Sequence, residues 1–100
     1  MLDLPVEQLA KIRSILHRQV PRARVFAFGS RVRGNAARWS DLDLAIDTGG
    51  RLTILELGLL REAFSESDVP YRVDVVDWNA LSEEFKDAIR AELTPIQLPE

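Results

Sequence analysis

The sequence predicts a small α/β sandwich on three observations. Segments of helical periodicity alternate with short β-branched and aromatic runs, the breaks between them fall at Pro, Gly and Asn, and 100 residues hold one domain of this kind. The predicted order is α-β-(short α)-β-α-β-α.

Each element follows from local chemistry. Leu4, Leu9, Ile12, Ile15, Leu16 and Val20 recur at helical spacing, which predicts an amphipathic first helix from about Pro5 to Gln19. Pro21 ends it, and Arg24-Val25-Phe26-Ala27-Phe28 reads as a buried strand stopped by Gly29. A short helical turn fits Ser30 to Arg33, broken by Gly34-Asn35. In Ser40–Ile46 the alternation from Asp41 to Leu44 marks a second strand, polar on one face near its start. After the loop Asp47-Thr48-Gly49-Gly50, Leu52, Leu55, Leu59, Leu60 and Ala63 predict a helix over about Thr53 to Ser65. Tyr71 to Val76 reads as a third strand. A last helix starts near Asn79 or Ser82 and runs to about Leu93, with Leu81, Phe85, Ile89 and Leu93 every four residues. Pro95-Ile96-Gln97-Leu98-Pro99 is an edge strand or a tail, because proline confines it to an edge.

Composition narrows the function. Hydrophobic residues at 46% and charged residues at 29% are ordinary globular values, so a core forms without disulfides or a structural metal. With no cysteine and His17 as the one histidine, disulfides, thiolate metal sites and His-rich zinc sites are excluded, and any metal must be held by oxygen. The opening MLDLPVEQLA lacks the basic and apolar regions of a signal peptide, and no apolar run approaches the ~20 residues that cross a bilayer, so a cytoplasmic protein without a membrane partner is expected. A net charge of −3 without a Lys/Arg stripe disfavours nucleic acid as a direct substrate. Arg22, Arg24, Arg31, Arg33 and Arg38 instead crowd the stretch before Asp41, which suits a small anionic ligand.

Three carboxylates interrupt otherwise apolar strands, and ionised Asp is almost never buried without a partner or metal. Asp41 and Asp43, two apart, leave the same face of their strand, and Asp74 lies in Val73-Asp74-Val75-Val76. If the two strands are neighbours, the carboxylates converge and raise one another's pKa unless a divalent hard cation neutralises them. Magnesium takes such ligands together with substrate phosphates, and two ions clamp both sides of an in-line displacement. Upstream, Gly29-Ser30 closes a strand and opens a helical turn, so backbone N–H groups and the Ser30 hydroxyl can face a phosphate, with Arg31 and Arg33 adding positive charge.

In the run FAFGSRVRGNAARWSDLDLAI, Gly29-Ser30 is followed by ten residues and then Asp41-Leu42-Asp43. That spacing resembles the minimal nucleotidyltransferases of the polymerase-β-like nucleotidyltransferase superfamily, over nearly the whole chain from Val25 to about Leu93. The resemblance implies an α/β nucleotidyltransferase-type mixed sheet of three to four strands packed against helices, in one domain spanning 1–100. It implies that Gly29 and Ser30 hold a triphosphate, that Asp41 and Asp43 hold the metals, and that Asp74 in YRVDVVDW completes the metal site and prepares the attacking hydroxyl. Many minimal members resemble antitoxins whose partner is a HEPN-domain ribonuclease toxin, and some transfer AMP from ATP to a toxin tyrosine. The implied activity is therefore a protein adenylyltransferase with two Mg2+ ions as cofactor, ATP as substrate and a HEPN toxin as acceptor, the antitoxin of a type VII-like pair. Larger enzymes of the family carry an acceptor-binding domain that this chain lacks, so a separate protein supplies the acceptor. Two other readings stay open: an antitoxin that works by occlusion, suggested by the short chain and Trp39, and a transferase for a small-molecule acceptor such as an antibiotic.

Other residues have plainer expectations. Asp77, three past Asp74, should face the opposite side of the sheet and serve a helix start or the surface; Asp47 is a turn residue. His17 is structural, Trp78 covers the core edge, Trp39 is an interface candidate, and one of Arg31 and Arg33 contacts phosphate or partner.

Overall fold

The computed structural model describes residues 2–34, 36–37 and 40–99. The expectations for Arg38 and Trp39 fall outside them.

Helix α1 (Val6–Gln19) follows Pro5, whose fixed φ of −59° suits a helix entrance. It buries Ile12, Ile15 and Leu16, the predicted stripe. Strand β1 (Arg24–Phe28) leads through Gly29 into a one-turn helix α2 (Ser30–Arg33), which Gly34 ends at φ +81°, a conformation L side chains rarely adopt. Strand β2 (Leu42–Asp47) begins one residue after Asp41, so Asp41 lies exposed on the approach to the strand rather than within it.

Helix α3 (Ile54–Ser65) starts on a complete capping box. Thr53 accepts from the Glu56 N–H at 3.0 Å while Glu56 accepts from the Thr53 N–H at 2.9 Å. Its buried face differs from the predicted one: Leu60 and Phe64 point inward, with Leu57 and Ala63 partly covered, whereas Leu55 and Leu59 are exposed. The sheet selects the Leu57, Leu60, Phe64 row at i, i+3, i+7, which leaves the competing leucines outside.

Strand β3 (Val73–Asp77) starts two residues later than predicted and ends one later. The long last helix divides. A 3-10 turn (Trp78–Ala80) is capped by Asp77, helix α4 (Glu83–Ile89) is capped by the Ser82 hydroxyl, and a second 3-10 turn (Arg90–Glu92) follows. Two caps so close together stop one helix and restart another. Strand β4 (Thr94–Gln97) realises the edge-strand alternative, with Pro95 opposite Phe26 at an irregularity in the ladder.

The sheet order is β3-β2-β1-β4; β1 runs antiparallel to β2 and β4, and β2 runs parallel to β3. Its two faces separate by strand parity. Val25, Ala27, Leu42, Leu44, Ile46 and Val75 pack against α1 and α3 in the main core. Leu42, Leu44 and Ile46 are fully buried, worth about 1.5–3 kcal/mol each relative to exposure. Phe28, Ala45 and Ile89 form a smaller cluster on the other face, joined by Val76, Trp78, Leu81 and Leu93. Asp43 and Asp74 belong to that second face, beyond this cluster. Among the described residues no helix is long and apolar enough to cross a membrane.

Candidate active site

Because β1 and β2 are antiparallel, the end of β1 lies beside the start of β2, and Phe28 pairs with Asp43. The chain therefore turns out of β1 at Gly29-Ser30 beside that carboxylate. Gly29 has φ +87°, and a Cβ there would collide with Asp43 Oδ2. Glycine is thus required twice, for its backbone conformation and for the close approach of the aspartate.

Strand β3 runs parallel to β2 with Asp74 directly paired to Asp43. Paired residues of neighbouring strands project to the same face, so the two carboxylates stand side by side. Asp74 keeps 43% of its side chain accessible and forms an ion pair with Arg72 at 3.5 Å.

The electrostatics follow from this crowding. Asp43 is held above the ordinary aspartate pKa, first by burial and then by the charges of Asp74 and Asp41; Arg33 and Arg72 pull part of the shift back. A site that raises a carboxylate's pKa by anionic neighbours favours a cation, and its donors are all oxygen. Among the described residues, however, no group of three or more acidic or histidine side chains is arranged to hold a metal ion by itself. The expected tight convergence of Asp41, Asp43 and Asp74 is thus only partly met: Asp43 and Asp74 are adjacent, and Asp41 acts on Asp43 from the preceding loop. Such a pair fits magnesium, which usually takes one or two carboxylates and completes its shell with water and substrate phosphates.

The two arginines expected at the phosphate part company. Arg31 is buried at 4% exposure; its guanidinium donates to the carbonyls of Ser40 (2.9 Å) and Asp3 (3.2 Å) and lies 3.8 Å over the Tyr71 ring. It braces the loop leading to Asp41 and is not presented to a ligand. Arg33, more than half exposed, lies near enough to act on Asp43 and forms an ion pair with Glu92 at 3.3 Å.

Glu92 and Arg72 were not singled out from the sequence. Glu92 accepts the Gly29 N–H at 2.8 Å and meets Arg33 with both carboxylate oxygens. Its partners are 63 and 59 residues away, so no local pattern marks it. Arg72 had one available signal, its position two before Asp74 and thus on the same side of the chain.

The plainer expectations are met in several places. Asp77 faces the main core side, where its carboxylate accepts from Leu52 N–H (2.8 Å) and Asn79 N–H (3.1 Å); it is buried rather than at the surface. Asp47 closes the turn after β2 by accepting from Gly49 N–H and the Asn79 amide. Trp78 packs on the smaller cluster beneath Lys86 and Arg90. His17 is exposed in the last turn of α1.

The chain is similar to known proteins over most of its length. Residues 10–96 match the family described as polymerase beta, nucleotidyltransferase. Over 96 residues the chain is 50% identical to a probable protein adenylyltransferase MntA of Haemophilus influenzae, covering 96% of this chain and 84% of that relative. A crystal structure of a toxin–antitoxin with AMP-PNP superposes with TM-score 0.77 at 22% identity, covering 92% of this chain and 74% of the other. The structure of a tri-AMPylated Shewanella oneidensis HEPN toxin in complex with MNT antitoxin superposes with TM-score 0.68 at 19% identity, covering 92% and 71%. At such identities these two structures share the fold.

Proposed function

The chain belongs to the polymerase beta nucleotidyltransferase family, and from that premise we propose that it is a magnesium-dependent protein adenylyltransferase of the cytoplasm. It transfers AMP from ATP to a hydroxyl, a tyrosine first of all, of a partner HEPN-domain toxin and so acts as the antitoxin of the pair. The half-identical relative is a probable protein adenylyltransferase, which supports the protein acceptor. The observation that carries the reading is the in-register pair Asp43–Asp74, with a glycine turn built against Asp43.

Residues 1–100 act in this reading as one minimal nucleotidyltransferase domain, with its parts laid across the sheet. Ser30, through its hydroxyl and amide, holds the distal phosphates and Arg33 adds charge there, while Gly29 shapes the turn with its own N–H held by Glu92. Asp41 and Asp43 would hold the magnesium, with Asp74 as a further ligand. The metal, when bound with the triphosphate, supplies charge neutralisation and lowers the pKa of the incoming hydroxyl. Asp74 accepts the hydroxyl proton as the new O–P bond forms at the α-phosphorus; the bond to the bridging oxygen breaks, and pyrophosphate leaves on the Ser30 side. Arg31 takes no phosphate contact here and is a positioning residue for Asp41.

The test is to incubate the chain with ATP, Mg2+ and its HEPN partner and to weigh the partner intact. A mass gain of one or more AMP groups is expected, and Asp43→Asn should abolish it while the fold persists. A toxin that is inhibited but unmodified would replace this reading with occlusion. Label on a small molecule with no protein present would replace the acceptor.

A further inference from the structure

The sheet face that carries Asp43 and Asp74 is covered farther along by α4, through the cluster of Phe28, Ala45 and Ile89. Phe85 lies one turn before the buried Ile89, on the same side of α4, so it leans toward that face rather than away from it. Its ring meets the Phe28 ring edge to face, with centroids 6.0 Å apart and planes at 86°. Phe28 in turn is the β1 residue paired with Asp43, and paired residues of neighbouring strands stand about 4.5–5.5 Å apart at Cβ on one face. The two rings therefore continue directly from the carboxylate. Although it leans toward the sheet, Phe85 keeps 41% of its surface exposed, the most of any aromatic side chain among the described residues. The other rings are taken: Phe28 and Phe64 are buried, Trp78 lies beneath Lys86 and Arg90, and Tyr71 lies beneath Arg31.

We propose that Phe85 is the platform on which the base of the bound nucleoside triphosphate stacks. The proposal rests on the adenylyltransferase reading and deepens it by placing the nucleoside. An in-line displacement sets the attacking and leaving oxygens on opposite sides of the phosphorus, here the Asp74 and Ser30 sides, and the nucleoside hangs from a third oxygen off that line. The sheet itself closes one side, so the nucleoside lies above the face, and α4 is the element that stands there. Phe85 offers it an uncovered apolar ring, and Phe28 fixes that ring edge-on from the strand pair that also carries Asp43. Stacking on an aromatic ring tolerates any base, because every base has a π face. Phe85 thus supplies affinity for the nucleoside without selecting adenine over guanine.

The test separates base from phosphates by titrating the chain, in the presence of Mg2+, with AMP-PNP and with inorganic tripolyphosphate. Phe85→Leu keeps an apolar contact with Phe28 but has no ring, and Phe85→Trp enlarges the ring. Phe85→Leu should weaken AMP-PNP binding about tenfold and leave tripolyphosphate binding unchanged, and Phe85→Trp should restore the AMP-PNP affinity. In AMP transfer, Phe85→Leu should raise the KM for ATP to a similar degree with the KM for the protein acceptor unchanged. Equal losses for both ligands would make Phe85 a structural support of the phosphate turn and overturn the proposal. An unchanged AMP-PNP affinity would do the same, as would a raised KM for the acceptor alone, which assigns the ring to the acceptor. If the unaltered chain transfers AMP while Phe85→Leu binds AMP-PNP as tightly, this proposal alone fails. If the unaltered chain neither binds AMP-PNP nor transfers AMP, the adenylyltransferase reading fails, and the proposal with it.

Discussion

Asp43 is stabilised by a proton more in the folded chain than in the unfolded one, because burial and the charges of Asp74 and Asp41 hold its pKa above the ordinary value. The linked stability is greatest below the ordinary aspartate range and is lost as pH rises through the raised pKa. Asp43→Asn should therefore abolish AMP transfer yet modestly raise the melting temperature at neutral pH without metal, since the amide carries no charge to be held beside Asp74 and Asp41. Thermal melts of both proteins between pH 3 and pH 8 should converge at the acid end. Glu92 has the opposite sign. Its carboxylate satisfies the Gly29 N–H and faces Arg33, so Glu92→Ala should cost about 1–3 kcal/mol, read as a lower urea midpoint with unchanged slope. Of the proposed site residues, the placement of Gly29 in a positive-φ turn and of Asp43 and Asp74 on polar positions of their strands was legible, because a strand's parity and a glycine turn are local. The fate of Arg31 was not, since burial by Ser40, Asp3 and Tyr71 depends on partners 9, 28 and 40 positions away.

At the level of elements, β3 presents two carboxylates to opposite faces with opposite consequences. Asp74 stands beside Asp43, whereas Asp77 anchors the loop before α3 through Leu52 N–H and starts the turn after β3 through Asn79 N–H. Asp77→Ala should destabilise the fold by about 1–3 kcal/mol while its folded fraction keeps a normal kcat for AMP transfer. Asp74→Asn should do the reverse, with an intact melt and lost kcat, and comparing the two separates support from chemistry. Parity predicted this division. The inward row of α3 was less readable, because Leu52, Leu55, Leu59 and Leu60 form an apolar stripe as credible as Leu57, Leu60 and Phe64. Only the sheet beneath decides which stripe is covered. The split of the last helix likewise needed the caps at Asp77 and Ser82, whose strength depends on the geometry each adopts.

For the molecule as a whole, the triphosphate and its metal should bind as a unit, because no three carboxylates among the described residues form a metal cage without it. Mg2+ with ATP at a hundred times its Kd should add about 2.7 kcal/mol to stability and raise the melting temperature by roughly 10 °C or more. EDTA should remove most of that gain, and Mg2+ without nucleotide should give little of it. The chain's own chemistry was enough to establish an α/β order, an oxygen-only metal preference and the candidate carboxylates, since periodicity, composition and strand parity act over a few residues. Which strands are neighbours, that Asp74 stands in register with Asp43 and that Glu92 closes the Gly29 turn were settled by tertiary packing. The last two contacts join positions 31 and 63 residues apart, and their geometry comes from burying two faces of one sheet at once.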